Sequence, residues 1–394
     1  MTMTESAAQD AFLPFARPDI TDAEVHAVAE TVRSGWLTTG PNAAAFEKEM
    51  ADFLGGGDLT CVAVNSATAG LHLAVEALGI GPGDEVLLPT WTFTSTAEVV
   101  RYVGADPVMV DVDEHTLNID FDDAERRVTE RTRAIMPVHM AGVPVNADLL
   151  AEFASRHRLR VIEDAAHAFP VTSAGKLVGN STSDAVVFSF YATKTITTGE
   201  GGMVMVKSQE LAQRMRTMRL HGISRDVFNR YQSTVPSWHY DVVAPGFKYN
   251  LPDPAAAMGR VQLGRAVEMR DKRRDIAMRY IDAFMDLPVD LPSVPDDPDG
   301  HAWHLFIVRV DPKRAGHHRD QFIERMSEEG VGTSVHFIPL HLHPYWKDAC
   351  GLAAADFPVA SREFERAVSL PIFSSMTTED VDKVIRATQR VLAP

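Results

Sequence analysis

The sequence predicts an α/β fold with a mainly parallel sheet and helices on both faces, followed by a smaller α+β domain. Short apolar runs typical of buried strands alternate with helical segments between residues 61 and 206, as in parallel sheets. Seven runs carry this pattern: CVAV, EVLLP, PVMVDV, RAIMPVH, LRVIED, AVVFSF and GMVMV. After about residue 250 the pattern changes to a long helical stretch, which indicates the end of the large domain.

The first elements follow from capping and helical spacing. Residues 1–12 are expected to be a flexible lead. Thr21 and Glu24 form a Thr-x-x-Glu capping box, and apolar residues at helical spacing extend the helix to about Arg33. SGWLTTGP ends that helix. A second amphipathic helix follows, with an apolar face made of Phe46, Met50, Phe53 and Leu54.

The domain boundaries are expected where the periodicity changes. We assign residues 13–253 to the large domain, 254–287 to a connecting helix and 288–394 to the small domain. The charged middle of the helical stretch suits a connector at the surface. In the small domain, strands are expected near HLFIVRV and GTSVHFIP.

Composition narrows the function classes. A net charge of −16 argues against nucleic acid or an anionic membrane as partner, because phosphate backbones need concentrated Lys and Arg. Cys61 and Cys350 are too few and too far apart for a disulfide framework, which favours a reducing compartment. The N-terminus lacks a secretory pattern, and no apolar run is long enough to span a bilayer. We expect a cytoplasmic protein.

The first candidate site feature is NSATAG, residues 65–70. Small residues at a helix start leave backbone N–H groups open, and the helix dipole adds positive potential, so phosphate can bind there. An ordinary N-cap is the alternative explanation.

The second feature is VIEDAAHAF, which places Glu163 and Asp164 at the carboxyl end of a buried strand. Ligands bind at this edge in open α/β sheets, and a buried carboxylate needs a partner. A helix-capping role for Asp164 is the alternative. His167 could turn toward the same crevice, although a lone His more often makes structural hydrogen bonds.

The third feature is FSFYATKTITTGEGG, with Ser189 before Lys194 and glycines after it. A lysine in a partly desolvated crevice has a lowered pKa, and its neutral amine can form a Schiff base with a carbonyl. A solvated loop lysine is the alternative. Together the three features supply what pyridoxal 5′-phosphate (PLP) needs: a phosphate cradle, a carboxylate for the pyridine nitrogen and a Schiff-base lysine. PTWTFTST adds Trp91 and Phe93 as aromatic side chains that could cover the cofactor.

Seven ordered segments resemble the nucleotide-sugar aminotransferases of the DegT/DnrJ family, which have the aspartate-aminotransferase fold, fold type I of PLP enzymes. The resemblance runs from about Leu13 to the C-terminus and rests on SGWLTTGP, NSATAGLHLAVEALGIGPGDEVLLPTWTFTST, VIEDAAHA, FSFYATKTITTGEGG, RLHGISRD, PGFKYNLPDPAAAMGRVQL and TSVHFIPLHLHPYW. It implies a catalytic Lys194 that holds PLP, Asp164 on the pyridine nitrogen and His167 beside the ring hydroxyl. Phe93, rather than Trp91, matches the stacking aromatic.

The resemblance also implies the phosphate ligands and the subunit arrangement. Thr68, Ala69 and Ser189 match the phosphate cradle, and Asn250 matches a residue that reaches the phosphate of the other subunit's PLP. A homodimer with a shared active site would follow. His336 lies where the family approaches its substrate. No metal site is expected, because the two histidines of HLHPYW have no ligand cluster nearby.

Two positions depart from the family pattern: Thr195 replaces a common Asn after the lysine, and Pro254 lies in a changed DPAAA segment.

The implied reaction transfers the amino group of L-glutamate to a nucleotide-linked keto sugar, with a dTDP- or UDP-4-keto-6-deoxyhexose as the leading substrate. A keto-cyclitol or 3-keto sugar remains an alternative acceptor. A PLP-dependent sugar dehydratase would have His in place of Lys194, and a non-catalytic binding protein would have lost Lys194, Asp164 or Ser189.

Overall fold

The structure, a computed structural model, describes residues 12–224 and 240–393. The expected flexible lead lies outside the described residues except for Phe12. Seven strands form one sheet in the order β1-β9-β8-β5-β4-β2-β3. Their bounds are β1 (Thr60–Val64), β2 (Glu85–Pro89), β3 (Asp106–Val110), β4 (Thr132–Ile135), β5 (Arg160–Asp164), β8 (Ala185–Ser189) and β9 (Gly202–Val206), with a small hairpin of β6 (Thr172–Ser173) and β7 (Lys176–Leu177) beside them.

The sheet confirms the predicted α/β class and all seven predicted strands. From β8 to β3 the strands are parallel, and only β9 runs antiparallel to its neighbours β8 and β1. The helices of this part are α1 (Asp22–Arg33), α2 (Pro41–Phe53), α3 (Ala67–Ala77), α4 (Ser95–Tyr102), α5 (Phe121–Arg127), α6 (Ala147–His157) and α7 (Gln209–Met218). The capping box of Thr21 and Glu24 is present at the start of α1, as predicted.

Helices cover both faces of the sheet because side chains alternate along each strand. Val187 packs in the apolar cluster of α3, α4 and α7, whereas Phe188, the next residue, packs against α2 on the opposite face. The predicted apolar face of α2 is confirmed at Phe46 and Met50, which are fully buried. Both faces being covered explains why the strands read as continuous apolar runs.

The helical stretch after residue 250 is two helices rather than the single helix expected over 254–287. They are α8 (Asp253–Gly264) and α9 (Ala266–Phe284), and they meet at Arg265, which has non-helical backbone angles. The helices that follow among the described residues are α10 (Pro312–Ala315), α11 (Arg319–Glu328), α12 (Pro344–Cys350), α13 (Pro358–Phe364) and α14 (Thr378–Leu392).

The C-terminal part has a three-stranded antiparallel sheet of β10 (Val289–Asp290), β11 (Phe306–Val310) and β12 (Ala367–Leu370). HLFIVRV forms β11 as predicted. The strand expected at GTSVHFIP is wrong, since this segment makes only an isolated bridge, at Ser334, with another at Val331 just before it. Its backbone bonds to a side chain instead: the indole Nε1 of Trp91 donates to the carbonyl oxygen of His336 at 3.1 Å.

Candidate active site

The candidate site lies at the carboxyl edge of the large sheet. Asp164 ends β5 and Ser189 ends β8, and these two strands are parallel neighbours. Gly202 begins the antiparallel β9 directly opposite Ser189. The topology therefore brings three separate stretches of sequence to one edge, where open α/β sheets bind ligands.

Lys194 follows β8 in a turn, and its backbone N–H donates to the carbonyl oxygen of Tyr191 at 3.0 Å. Its side chain is partly buried, and Nζ lies 3.3 Å from Nε2 of His304. Burial lowers the pKa of Lys194 to about 7; the charge of Asp164 opposes this shift and the nearby guanidinium of Arg273 adds to it. Lys194 is therefore not a solvated loop lysine, and its amine loses its proton much more readily than that of an ordinary lysine.

Asp164 is a buried carboxylate whose two oxygens both accept hydrogen bonds. The hydroxyl of Thr96 donates to Oδ2 at 2.9 Å, and the backbone N–H of Ala166 donates to Oδ1 at 3.1 Å. Residues 165–171, all of them described, form no helix, so Asp164 caps none. Burial raises the pKa of Asp164, while its hydrogen bonds and the charge of Lys194 lower it.

A series of rings leads from Lys194 to the surface. The ring of His304 lies 4.4 Å from that of His167, which lies 5.7 Å from Phe337, and Phe337 lies 5.5 Å from Phe93, centroid to centroid. Phe93 is 54% exposed, whereas Trp91 is fully buried in the core. Phe93 is therefore the one of these two aromatic residues with a ring free to meet a ligand.

The start of α3 lies against the same edge. The side chain of Ser66 caps α3 by accepting the N–H of Ala69 at 3.1 Å, so the N-cap explanation of NSATAG is correct for Ser66. A Cβ on Gly202 would lie 2.8 Å from the backbone nitrogen of Ala67. This close approach brings the helix start, which includes Thr68, next to Ser189, the strand partner of Gly202.

Two predicted site residues have other neighbours in the single chain. Asn250 donates through Nδ2 to the hydroxyl of Thr39 at 2.7 Å, and its backbone bridges to Val64 at the end of β1. His336 places Nδ1 3.0 Å from the hydroxyl of Ser369, and burial is the main cause that lowers its pKa to about 4. Its ring lies 5.1 Å from that of Phe337, so it borders the ring series.

The chemical groups at this edge match those that PLP needs. Nδ1 of His167 is buried and has no hydrogen-bond partner among the described residues, as expected of a group that meets a ligand. Burial keeps the pKa of His167 well below its ordinary value, so the ring is neutral. Asp164 offers the charge that a protonated pyridine needs, Lys194 offers the amine, and the tight junction of Gly202 with α3 offers backbone N–H groups for a phosphate.

Sequence reasoning missed three residues of this site: Thr96, Arg273 and His304. Thr96 lies within the aromatic segment PTWTFTST, where a hydroxyl is an ordinary cap. Arg273 lies in the charged middle of α9, which reads as a solvated surface, yet it is buried. His304 precedes β11 and lies 110 residues beyond Lys194, and no local pattern links the two.

No metal cluster accompanies the site: within residues 12–224 and 240–393, no group of three or more His, Cys, Asp or Glu could hold an ion. His341 of HLHPYW instead lies 2.8 Å from the hydroxyl of Thr90 and 2.9 Å from that of Ser361. Over the same residues, none of the helices is both long and apolar enough to cross a bilayer.

The mostly parallel seven-stranded sheet and the lysine–aspartate edge define a PLP-dependent aminotransferase of fold type I. A model of the DegT/DnrJ/EryC1/StrS aminotransferase family matches residues 18–389. The chain is 46% identical over 382 residues to the spore coat polysaccharide biosynthesis protein SpsC of Bacillus subtilis (strain 168), covering 97% of each protein.

Solved structures give the same result. The putative sugar aminotransferase Spr1654 from Streptococcus pneumoniae, in its PMP-form, matches with a TM-score of 0.90 at 34% identity, over 96% of this chain and 98% of that one. Its PLP-form matches with a TM-score of 0.88 at 32% identity, over 97% and 100%. The sugar aminotransferase CalS13 from Micromonospora echinospora matches with a TM-score of 0.84 at 29% identity, over 96% and 99%. The chain belongs to the DegT/DnrJ/EryC1/StrS aminotransferase family, and its cofactor is PLP.

Proposed function

We propose that this protein transfers the amino group of L-glutamate to a keto sugar linked to a nucleoside diphosphate. A dTDP- or UDP-4-keto-6-deoxyhexose is the acceptor that we propose first. The observation that carries the transfer chemistry is the Lys194 amine, which lies beside His304 with a pKa near 7 and has Asp164 as its nearby counter-charge. The sugar class is supported by relatives that are named sugar aminotransferases, Spr1654 and CalS13.

The residues at the carboxyl edge of the large sheet would have different roles in the reaction. PLP, when bound, supplies the electron sink on which the amino group is carried from donor to acceptor. Nζ of Lys194 holds the cofactor and, once free, takes up and returns the proton, since a base works best when its pKa is near the working pH. The buried carboxylate of Asp164 keeps a positive charge on the pyridine nitrogen. His167, held neutral by burial, hydrogen-bonds to the ring hydroxyl through Nδ1.

Binding and orientation fall to the rest of the site. Ser189, Thr68 and the backbone at Ala69 hold the phosphate, Phe93 covers the ring face, and His336 lies on the substrate side. The ring series from His167 to Phe93 offers apolar surface for a deoxysugar.

We also propose a cytoplasmic homodimer in which Asn250 reaches the phosphate in the other subunit. This part of the proposal rests on the family resemblance; within the single chain Asn250 bonds to Thr39 and bridges to Val64. The two cysteines are unpaired, as in a reducing compartment.

The first test is the visible spectrum of the PLP-loaded protein before and after L-glutamate. We expect an absorption band of lysine-held PLP, which glutamate bleaches with release of 2-oxoglutarate. The Lys194→Ala variant should lack the band, whereas Lys176→Ala, a change at an exposed lysine, should keep it. A band that glutamate leaves unchanged would show that the donor is wrong.

The acceptor is tested after glutamate has bleached the band. We would add, in separate reactions, a dTDP- or UDP-linked 4-keto-6-deoxyhexose, a nucleotide-linked 3-keto sugar and a keto-cyclitol without a nucleotide. Return of the band and an amine product detected by mass spectrometry identify the acceptor. A response to the keto-cyclitol alone would overturn the nucleotide-sugar assignment and leave the aminotransferase chemistry intact.

A further inference from the structure

His304 contacts the amine of Lys194 and has no part in the function proposed above. Its Nε2 lies 3.3 Å from Nζ of Lys194, and its ring packs against that of His167. The side chain is buried, and Nδ1 has no hydrogen-bond partner among the described residues. The contact is therefore made by a ring that has little room and one free nitrogen.

The backbone around His304 is fixed by bonds from three directions. Nη1 of Arg273, itself buried in α9, donates to the carbonyl oxygen of Ile372 at 2.6 Å and to that of His304 at 3.4 Å. Two residues before His304, the N–H of Ala302 donates to the carbonyl oxygen of Gly142 at 2.9 Å. Directly after His304, the N–H of Leu305 donates to the carbonyl oxygen of Ala141 at 3.1 Å. These bonds hold the backbone that carries His304, and the contact of its ring with His167 limits where the ring can lie beside Lys194.

The charged and titratable groups around the contact decide which atom donates. Asp164, Arg273, His167 and His336 all act on Lys194 or His304, and Arg273 carries the fixed positive charge. Burial, joined by the positive charge of Lys194, holds the pKa of His304 well below its ordinary value, so its ring is neutral. A protonated Nζ has only donors, so Nε2 of the neutral ring accepts from it, and the proton of the ring then lies on Nδ1.

We propose that His304 is a positioning residue for Lys194: Nε2 accepts a hydrogen bond from Nζ and aims the lone pair of the amine into the crevice. The inference rests on the proposed role of Lys194 as the lysine that holds PLP. A correctly aimed amine reacts faster than one that rotates freely, because less orientational freedom is lost on reaction.

The test compares His304→Phe, which fills the space but accepts no hydrogen bond, with His304→Gln, which keeps an acceptor. His317→Phe is the matched control, since His317 is a buried histidine bonded to the carbonyl oxygen of Val391. In each cofactor-free protein, the rate at which a small amine-reactive reagent modifies Lys194 is measured by mass spectrometry as a function of pH. In parallel, the rate of appearance of the visible band is measured after PLP is added.

We expect the rate of this reaction in wild type to have its pH midpoint near 7. In His304→Phe the midpoint should fall by about one pH unit, because the protonated amine loses a charge-assisted hydrogen bond. Attachment of PLP should be about tenfold slower in that variant. His304→Gln should recover both values to near wild type, and His317→Phe should match wild type in both. If His304→Phe does not fold, His304→Asn replaces it, because its shorter amide cannot reach Nζ.

Two results would overturn the proposal. One is a folded His304→Phe, or His304→Asn in its place, with the pH profile and attachment rate of wild type. The other is His304→Gln changed as much as His304→Phe, because an acceptor would then not be what matters. If wild type forms no band with PLP, the proposed function fails instead, while the pH profiles still judge the contact between His304 and Lys194.

Discussion

Replacing Lys194 by Met should change how the stability of the cofactor-free protein depends on pH. Met keeps the length of the side chain but carries no charge. In the unfolded chain Lys194 titrates near 10.5, and in the folded chain near 7. Below pH 7 the amine is charged in both states, so the folded protein bears the full cost of burying it. Between pH 7 and 10.5 the folded amine becomes neutral and the cost falls as pH rises.

The size of the effect follows from these two pKa values. Each pH unit between them is worth about 1.4 kcal/mol, and at pH 7 the folded amine is already half neutral. The free energy of unfolding of wild type should therefore rise by about 2 kcal/mol relative to Lys194→Met between pH 7 and pH 9. The charge of Asp164, which raises the pKa of Lys194, is already included in the folded value of about 7.

The assay is urea denaturation of PLP-free wild type and Lys194→Met at pH 7 and pH 9, at one protein concentration. Lys176→Met is the control, because Lys176 is exposed and its replacement should give a gap that does not depend on pH. A gap for Lys194→Met that stays constant, or that widens in favour of Met as pH rises, would refute the buried-amine reasoning and with it the nucleophilic state of Lys194.

Three further predictions concern the frame around the site. Asp253→Asn should lower the free energy of unfolding by about 2 kcal/mol in urea titrations, because the carboxylate accepts three backbone N–H groups at the start of α2 and an amide accepts at only one atom. An unchanged midpoint would contradict this. Gly202→Ala should weaken PLP binding about tenfold by fluorescence titration, since its Cβ would lie 2.8 Å from the backbone of Ala67; equal affinity would show that the junction does not shape the phosphate site. Phe93→Ala should cost less than about 1 kcal/mol in stability, because the ring is 54% exposed, yet weaken PLP binding about tenfold. A loss of stability without a loss of affinity would assign Phe93 to the core.

Most of the large sheet could be predicted from sequence because both of its faces are covered. A strand buried on both faces is a continuous apolar run, and each of the seven runs proved to be a strand. At GTSVHFIP the run is apolar enough, but only Ser334 pairs with a strand, at Ser369 of β12, and an isolated bridge does not make a strand. The single helix expected over 254–287 is interrupted at Arg265, directly after Gly264, a residue that in sequence looked only a weak interruption.

Some residues of the candidate site could be predicted from local sequence patterns, and others could not. Asp164, Ser189 and Lys194 could be found because each lies at or just after the carboxyl end of a strand, and parallel strands bring those ends together. His304 and Arg273 could not, because they reach the site from a second part of the chain. Only the packing of α9 and of the segment before β11 against the large sheet brings them to Lys194.

The neutral side chains of the site affect its electrostatics as much as its charged side chains do. Burial keeps the pKa of His167, His304 and His336 below the ordinary range, so these three rings add no positive charge around Lys194. Arg273 then provides a fixed cation that lowers the pKa of Lys194, and the charge of Asp164 opposes it. If the histidines were solvated and charged below pH 6, they would push the lysine pKa lower still. Because the three histidines are neutral, Asp164 and Arg273 are the charges that act on Lys194, and burial remains the main cause of its lowered pKa.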